Sequence, residues 1–384
     1  MLNVFLDVSR LLSRLAKGQL PTGVDRVGLA YVEHYHERAR AVLSDFGISK
    51  IVSQRDSRRM FDMLLEPLAL SSMRIRVQTA RSLLLPTGGS LDRTVVLHTS
   101  HNGMENIRYY RSMKLRGIKS VFMIHDLIPI THAEYCRPGV DATHRARIHA
   151  ALRHAHGLIL NSQDTLDALI EESHRARLPL PPVVVARLAP GIMARSTAPR
   201  PLDEPYFVML GTIEPRKNHW FILHVWRRLV EQLGTQAPKL VIIGRRGWEC
   251  ENVIDMLERC EKIQDAVIEH ADCDDRELSI WLQHAQALLF PSFAEGYGMP
   301  LVEALALGVP VLASDLDVFR EIANSIPDYL DPSDGPGWLA HILAYTQTRS
   351  PQREAQLQRI GHFDVPTWQT HFHRVDSFLD TLVT

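Results

Sequence analysis

Short apolar runs of four to six residues, rich in Val, Ile, Leu and Phe, recur along the chain and alternate with longer stretches whose apolar residues come at helical spacing. This alternation predicts parallel sheets covered by helices, an α/β fold class. In the first half the strand candidates are Asn3–Asp7, Thr94–Thr99, Ser120–His125, Gly157–Leu160 and Val183–Ala186. In the second half they are Tyr206–Leu210, Lys239–Ile243, Ala266–Glu269, Ala287–Phe290 and Val309–Ala313. Each set suits one doubly wound domain. Between them "ARSTAPRPLDEP" (194–205) places three prolines in a polar stretch, as a linker does. The expected division is a first domain over 1–194, a second over 206–365 and a C-terminal helix over 366–384. That helix can pack on either domain or cross back to the first. No period of 20–50 residues repeats.

Composition agrees with this picture: 384 residues are too many for one ordinary core, and 45% hydrophobic with 23% charged residues suits a globular enzyme-sized protein. No apolar run approaches the roughly 18 residues of a membrane span, and "MLNVFLDVSRLLSRL" lacks a signal-peptide layout, so a cytoplasmic protein is expected. Cys136, Cys250, Cys260 and Cys273 form no CxxC and no zinc spacing, and are expected as free thiols. The 19 histidines include no HExxH cluster. A net charge of −1 conceals an asymmetry: residues 1–200 have 28 Lys/Arg against 17 Asp/Glu, and the remainder has 15 against 27. An anionic partner for the first half is the expectation.

In doubly wound folds ligands bind where strands end. After Ala287–Phe290 comes "PSFAEGYGMPLVEALALGVPVLAS" (291–314), in which Glu295 precedes the bend Gly296–Tyr297–Gly298 and Glu303 follows it. Pro300 suits the start of a helix, and the glycines let backbone amides approach a phosphate. After Tyr206–Leu210 comes "GTIEPRKN" (211–218), which sets Arg216 and Lys217 before a helix starting near Asn218. Two cations at a helix N-terminus oppose the helix dipole unless an anion joins them.

Together "GTIEPRKN", "LVIIGRRGW" and "FPSFAEGYGMPLVEALALGVPVLASD" resemble, in order and separation, the retaining glycosyltransferases of family 4, the group 1 glycosyl transferases. "TGVDRVGLAYV" (22–32) is similar to the glycine loop opening their first helix, "MIHDLIPI" (123–130) to their His-bearing strand end, and "ARLAPGI" (186–192) to the segment before their linker. Residues 40–90 resemble nothing in the family. The resemblance implies the GT-B fold, two Rossmann-like domains facing across a cleft.

By that resemblance Glu295 and Glu303 form an E-x7-E pair, the first on the donor sugar's hydroxyls and the second on the nucleotide's ribose. Arg216 and Lys217 fall on the phosphate clamp, Gly23 on the loop that approaches the diphosphate, and His125 on the histidine near the reacting sugar. Thr212 stands where many members carry arginine, so Arg216 takes over that contact. Thr212, Gly296, Tyr297 and Gly298 complete the donor-binding set. Asp126 and Arg26 are secondary candidates, and His98, His101 and Asn102 in "LHTSHNG" are candidate acceptor contacts. No DxD motif of the metal-dependent GT-A type is recognised and the cationic clamp can neutralise the diphosphate by itself, so neither metal nor other cofactor is expected.

The implied reaction moves a sugar from a nucleoside diphosphate to a glycan or polyprenyl-diphosphate-linked acceptor. The motifs look most like bacterial mannosyltransferases of O-antigen, capsule or exopolysaccharide synthesis, which favours GDP-mannose. GDP-fucose, a rhamnose nucleotide or a UDP-sugar would suit the same clamp. A nucleotide-sugar 2-epimerase and a non-catalytic nucleotide-sugar binder remain alternatives, whereas a dinucleotide dehydrogenase is disfavoured because no GxGxxG follows the first strand. Residues 49–86 mix seven Lys/Arg with many apolar side chains. They fit either a basic amphipathic surface on an anionic membrane or two ordinary helices closing the first domain, and the resemblance favours the inner membrane face.

Overall fold

The apolar runs become the strands of two sheets in the computed structural model, which describes residues 2–66, 77, 79, 81, 91–191 and 195–384. The chain divides into two compact units. The first comprises Met1–Thr131, Gly139–Leu188 and Thr367–Thr384, and the second comprises His132–Pro138 and Ala189–Pro366.

Unit 1 contains β1 (Asn3–Asp7), β2 (Arg40–Asp45), β3 (Ile48–Ile51), β4 (Thr94–His98), β5 (Lys119–Ile124), β6 (Gly157–Leu160) and β7 (Val183–Val185). Their order is β3-β2-β1-β4-β5-β6-β7. All neighbours pair in parallel except β2 and β3, an antiparallel hairpin with Val42 opposite Ile51 and Asp45 opposite Ile48. This edge hairpin is an antiparallel addition to the expected parallel sheet. A hairpin needs only two turn residues, and Phe46 and Gly47 supply them with φ of +44° and +81°.

Unit 2 contains β8 (Tyr206–Leu210), β9 (Lys239–Ile243), β10 (Val267–His270), β11 (Leu288–Phe290), β12 (Val311–Ser314) and β13 (Asp328–Leu330), in the order β10-β9-β8-β11-β12-β13, all parallel. The strands read as unbroken apolar runs because both faces are covered; Leu240, Val241 and Ile242 are fully buried. The largest side chains of this core, Trp226 and Trp338, are also fully buried, and each indole N–H donates to a backbone carbonyl, Pro238 and Asp331, at 2.9 Å. Winding reverses between β1 and β4 in unit 1 and between β8 and β11 in unit 2.

The C-terminal helix Trp368–Val383 belongs to unit 1. Phe372 stacks on His34 at 3.8 Å between ring centres, and Tyr35 donates to Asp376 at 2.6 Å. His371 donates Nδ1–H to the Arg187 carbonyl at 3.0 Å and accepts the Tyr31 hydroxyl at 2.9 Å; burial lowers its pKa to about 4. A side chain at position 157 would run into Phe378 and Leu382, so Gly157 is the residue that lets this helix lie against β6.

Of residues 49–86, only 49–66, 77, 79 and 81 are among those described; the rest of that proposed membrane segment lies outside them. The helix Gln54–Leu65 turns Met60, Phe61 and Leu64 into the core, so its apolar side is spent inside unit 1. Among the described residues no helix is long and apolar enough to cross a membrane.

Candidate functional site

Because β8 and β11 are neighbours, "GTIEPRKN" and "PSFAEGYG" leave the sheet side by side. Pro215–Lys217 make a single 3₁₀ turn, Asn218 takes a left-handed conformation (φ +60°), and the helix His219–Leu233 begins directly after it. Asn218 holds the turn in place by donating its side-chain amide to the Pro291 and Pro332 carbonyls at 3.2 and 2.9 Å. Across from it, the Phe293 amide donates to the Arg216 carbonyl at 2.9 Å.

The expected clamp residues meet here. Glu295 Oε1 lies 2.6 Å from Lys217 Nζ, and Glu295 Oε2 lies 2.8 Å from Arg216. Arg216 also pairs with Glu214 at 2.7 Å and donates to the Ala294 carbonyl at 2.7 Å. Burial alone would raise the Glu295 pKa, but the charges of Arg216 and Lys217 outweigh it and hold the carboxyl at about 2. Burial lowers the Lys217 pKa against the opposing pull of Glu295. The anion that the two cations require thus comes from the protein itself, as the carboxylates of Glu214 and Glu295. Glu214 sits inside the quoted motif, yet nothing in its spacing marked it as a partner.

Beyond Glu295 the bend leads to Gly298, which caps the helix Met299–Ala306 with φ +97°. A Cβ there would also come within 2.6 Å of the Phe319 ring, so conformation and packing both require glycine. Tyr297 is buried in the same bend. Glu303, only 1% exposed, accepts the Gly191 amide at 3.2 Å. Thr212 packs its methyl where a side chain on Gly247 would otherwise stand. Two features had no signal in the sequence. The Tyr135 ring stacks on Phe293 at 5.1 Å and 4°, and His219, buried beside Lys217, has its pKa lowered to about 3 by burial and that charge.

The remaining candidates belong to unit 1. His125 directly follows β5, is buried, and donates Nε2–H to the Thr99 carbonyl at 2.8 Å. Its own amide donates to His101 Nε2 at 3.0 Å, and its carbonyl accepts from Asn161 at 2.9 Å. Burial lowers the pKa of His125, and lowers that of His101 well below the usual value, which favours neutral rings. His101 therefore supports His125 from behind rather than joining His98 and Asn102, which line a separate cavity. The Asp126 carboxylate caps the Ile128 amide at 3.1 Å. Gly23 opens the helix Gly23–Tyr35, which is preceded by Ser9–Ala16 and so is not the first helix, as the resemblance had it. Thr22 and Asp25 cap it with a reciprocal box, and Arg10 and Arg14 pair with Asp25 at 2.8 Å each. A side chain at position 23 would touch nothing among the described residues, so none of their contacts calls for glycine there. Among the described residues no group of three or more His, Cys, Asp or Glu is placed to hold a metal ion.

Residues 194–326 match the family profile described as glycosyl transferases group 1. The chain is 27% identical over 276 residues to the serotype-specific mannosyltransferase WbdA of Escherichia coli, covering 67% of this chain and 34% of that protein. It therefore spans about a third of that relative's length. It is 30% identical over 165 residues to O-antigen chain mannosyltransferase B of Escherichia coli, 43% of this chain and 42% of the other. Among solved structures, Anabaena Alr3699/HepE in complex with UDP and glucose superposes with a TM-score of 0.66 at 16% identity, covering 99% of this chain and 100% of that one. Residues 194–326 are thus a group 1 glycosyl transferase domain, carried by a chain with the GT-B fold.

Proposed function

We propose that the chain is a glycosyltransferase that moves a sugar from a nucleoside diphosphate to a glycan or lipid-linked acceptor, with retention of configuration and without a metal. The observation that carries this reading is the partly buried Arg216–Lys217 pair held by Glu295 at the adjacent exits of β8 and β11. When a sugar–phosphate bond breaks, negative charge grows on the departing diphosphate. Cations already fixed in a poorly hydrated site stabilise that charge without reorganising. In this reading the Gly296–Gly298 bend and Gly23 approach the diphosphate, Glu303 binds the ribose, and Glu295 both positions the cations and reaches the sugar. His125 has committed Nε2 to the Thr99 carbonyl, so Nδ1 is the ring nitrogen left to orient the sugar.

GDP-mannose is the favoured donor and bacterial surface polysaccharide the favoured product, by likeness to the O-antigen mannosyltransferases. A UDP-sugar is the second reading, because UDP and glucose are named with the Anabaena structure. Thermal shift against GDP-, UDP-, dTDP- and ADP-sugars selects the donor, since a ligand of the folded state raises its melting temperature. NMR of the product then reads acceptor transfer and anomeric configuration. No shift with any nucleotide sugar rejects the reading, and conversion of the donor without an acceptor reassigns the chain as an epimerase. Docking on the inner membrane face is part of the proposal; co-sedimentation with anionic vesicles at low salt, lost at high salt, is its expected signature.

A further inference from the structure

The chain leaves unit 1 after Thr131, contributes His132–Pro138 to unit 2 and re-enters unit 1 at Gly139, which takes φ +82°. Two side chains of that excursion rest on the segments that flank the clamp turn. The Tyr135 ring lies on the Phe293 ring at 5.1 Å and 4°, an offset stack, and the His132 ring extends it at 6.2 Å and 18°. The Arg137 guanidinium lies 5.2 Å from the centre of the Trp248 ring, a cation–π contact.

Each landing point is tied to the clamp through the backbone. Phe293 donates its amide to the Arg216 carbonyl at 2.9 Å, and the next carbonyl, of Ala294, accepts the Arg216 guanidinium at 2.7 Å. Trp248 follows Gly247, whose amide donates to the Ile213 carbonyl at 3.0 Å, while the Ile213 amide donates to the Arg245 carbonyl at 2.9 Å. A side chain on Gly247 would run into that Ile213 carbonyl, so the exit of β9 lies directly against the start of the clamp turn. Tyr135 and Phe293 are both partly exposed, so their stack adds little to the core of unit 2. What it fixes is the loop whose amide and carbonyl hold Arg216, and Glu295, the carboxylate shared by Arg216 and Lys217, is two residues further on. A displacement of about 1 Å at such a site can lower a rate by about a hundredfold.

We infer that Tyr135 is a positioning residue for the Arg216–Lys217 clamp, acting through its stack on Phe293, and that Arg137 on Trp248 braces the same turn from the β9 side. The inference rests on reading the clamp as a diphosphate site, and not on what the nucleotide carries. The test is a double-mutant cycle read by calorimetry with bare GDP and UDP. Tyr135→Ala should weaken the tighter of the two by about tenfold, and Tyr135→Phe, which keeps the ring, should bind as the wild type does. Arg137→Ala, which removes an exposed side chain and so spares the fold, should weaken it by about threefold. In an Arg216→Ala background each alanine should change the affinity by less than about twofold, because positioning then has nothing to act on; a merely structural residue would have the same effect in both backgrounds. Undiminished affinity in both alanine variants, a loss in Tyr135→Phe equal to that in Tyr135→Ala, or equal losses in the two backgrounds overturns the inference. No binding of either diphosphate by the wild type rejects the clamp reading and the inference together. Diphosphate binding that depends on Tyr135, in a chain that transfers no sugar, leaves the inference standing and rejects the transfer reading alone.

Discussion

Lys217 Nζ lies 2.6 Å from Glu295 Oε1, and both side chains are about nine-tenths buried, so the cation is fixed in place by a residue 78 positions further along the chain. Its position is set before any ligand arrives. Removing the charge should therefore affect the reaction more than the fold. In Lys217→Ala, kcat/KM for transfer should fall by roughly two to three orders of magnitude, about 3–4 kcal/mol. Arg216→Ala should cost a similar or somewhat smaller amount. Near-full activity of a folded Lys217→Ala enzyme in steady-state assays would show that the nucleotide site lies elsewhere.

Glu295 ties the same cluster to pH. Its folded pKa of about 2 lies below the ordinary 4.5, so its contribution to stability is present above about 4.5 and is lost as pH falls through about 2. Urea midpoints measured from pH 6 down to 2 should fall in the wild type, and fall less steeply in Glu295→Gln. At neutral pH that variant should be destabilised by about 3 kcal/mol, because two largely desolvated cations then share one carboxylate, Glu214. It should also impair transfer more than it impairs binding of the bare diphosphate.

Glu303 has the opposite profile. It touches the Gly191 amide and takes no part in the Lys217 pair. Glu303→Ala should weaken binding of the free nucleoside diphosphate, read by calorimetry as a loss of about 1–3 kcal/mol. A larger loss there from Glu295→Gln would reverse the two assignments.

Because Glu214 and Glu295 already balance Arg216 and Lys217, the metal-free proposal relies on the N–H donors of those two side chains and of the Gly296–Gly298 bend to hold the diphosphate, not on a net positive charge. Transfer in excess EDTA should match the untreated enzyme. Complete loss restored by Mg²⁺ or Mn²⁺ would reject the metal-free part of the proposal.

The C-terminal helix should behave as part of the core of unit 1. Phe372 is buried against Tyr31, His34 and Trp368, and Phe372→Ala should cost about 3–5 kcal/mol. A melting temperature unchanged by this substitution would mean that the helix only lies on the surface.

The strand runs were legible in the sequence because each is a local pattern, and the two clamp motifs because they are short segments that resemble those of a known family. A strand buried on both faces must be apolar throughout, and a turn that presents charge at a strand exit must gather its residues within a few positions. Hence the ten predicted strands lie within about two residues of those found, whereas Arg216, Lys217 and Glu295 were brought together only by the resemblance of their motifs to the family. Strands with weaker patterns, β2, β3 and β13, were not visible in this way, because their burial depends on neighbours supplied by other parts of the chain.

What tertiary structure alone decided is the set of partners. Glu295 meets Lys217 because β11 is laid beside β8, which no local spacing encodes. The C-terminal helix lies with unit 1 because Gly157 leaves room for Phe378 and because Tyr31 and Tyr35 offer hydroxyls to His371 and Asp376. His101 and His98 are three residues apart, yet one braces the His125 amide while the other lines a separate cavity with Asp7. Hydrogen bonds and ion pairs act over a few ångströms in space, so residues far apart in the chain become partners only when the sheet order places them together.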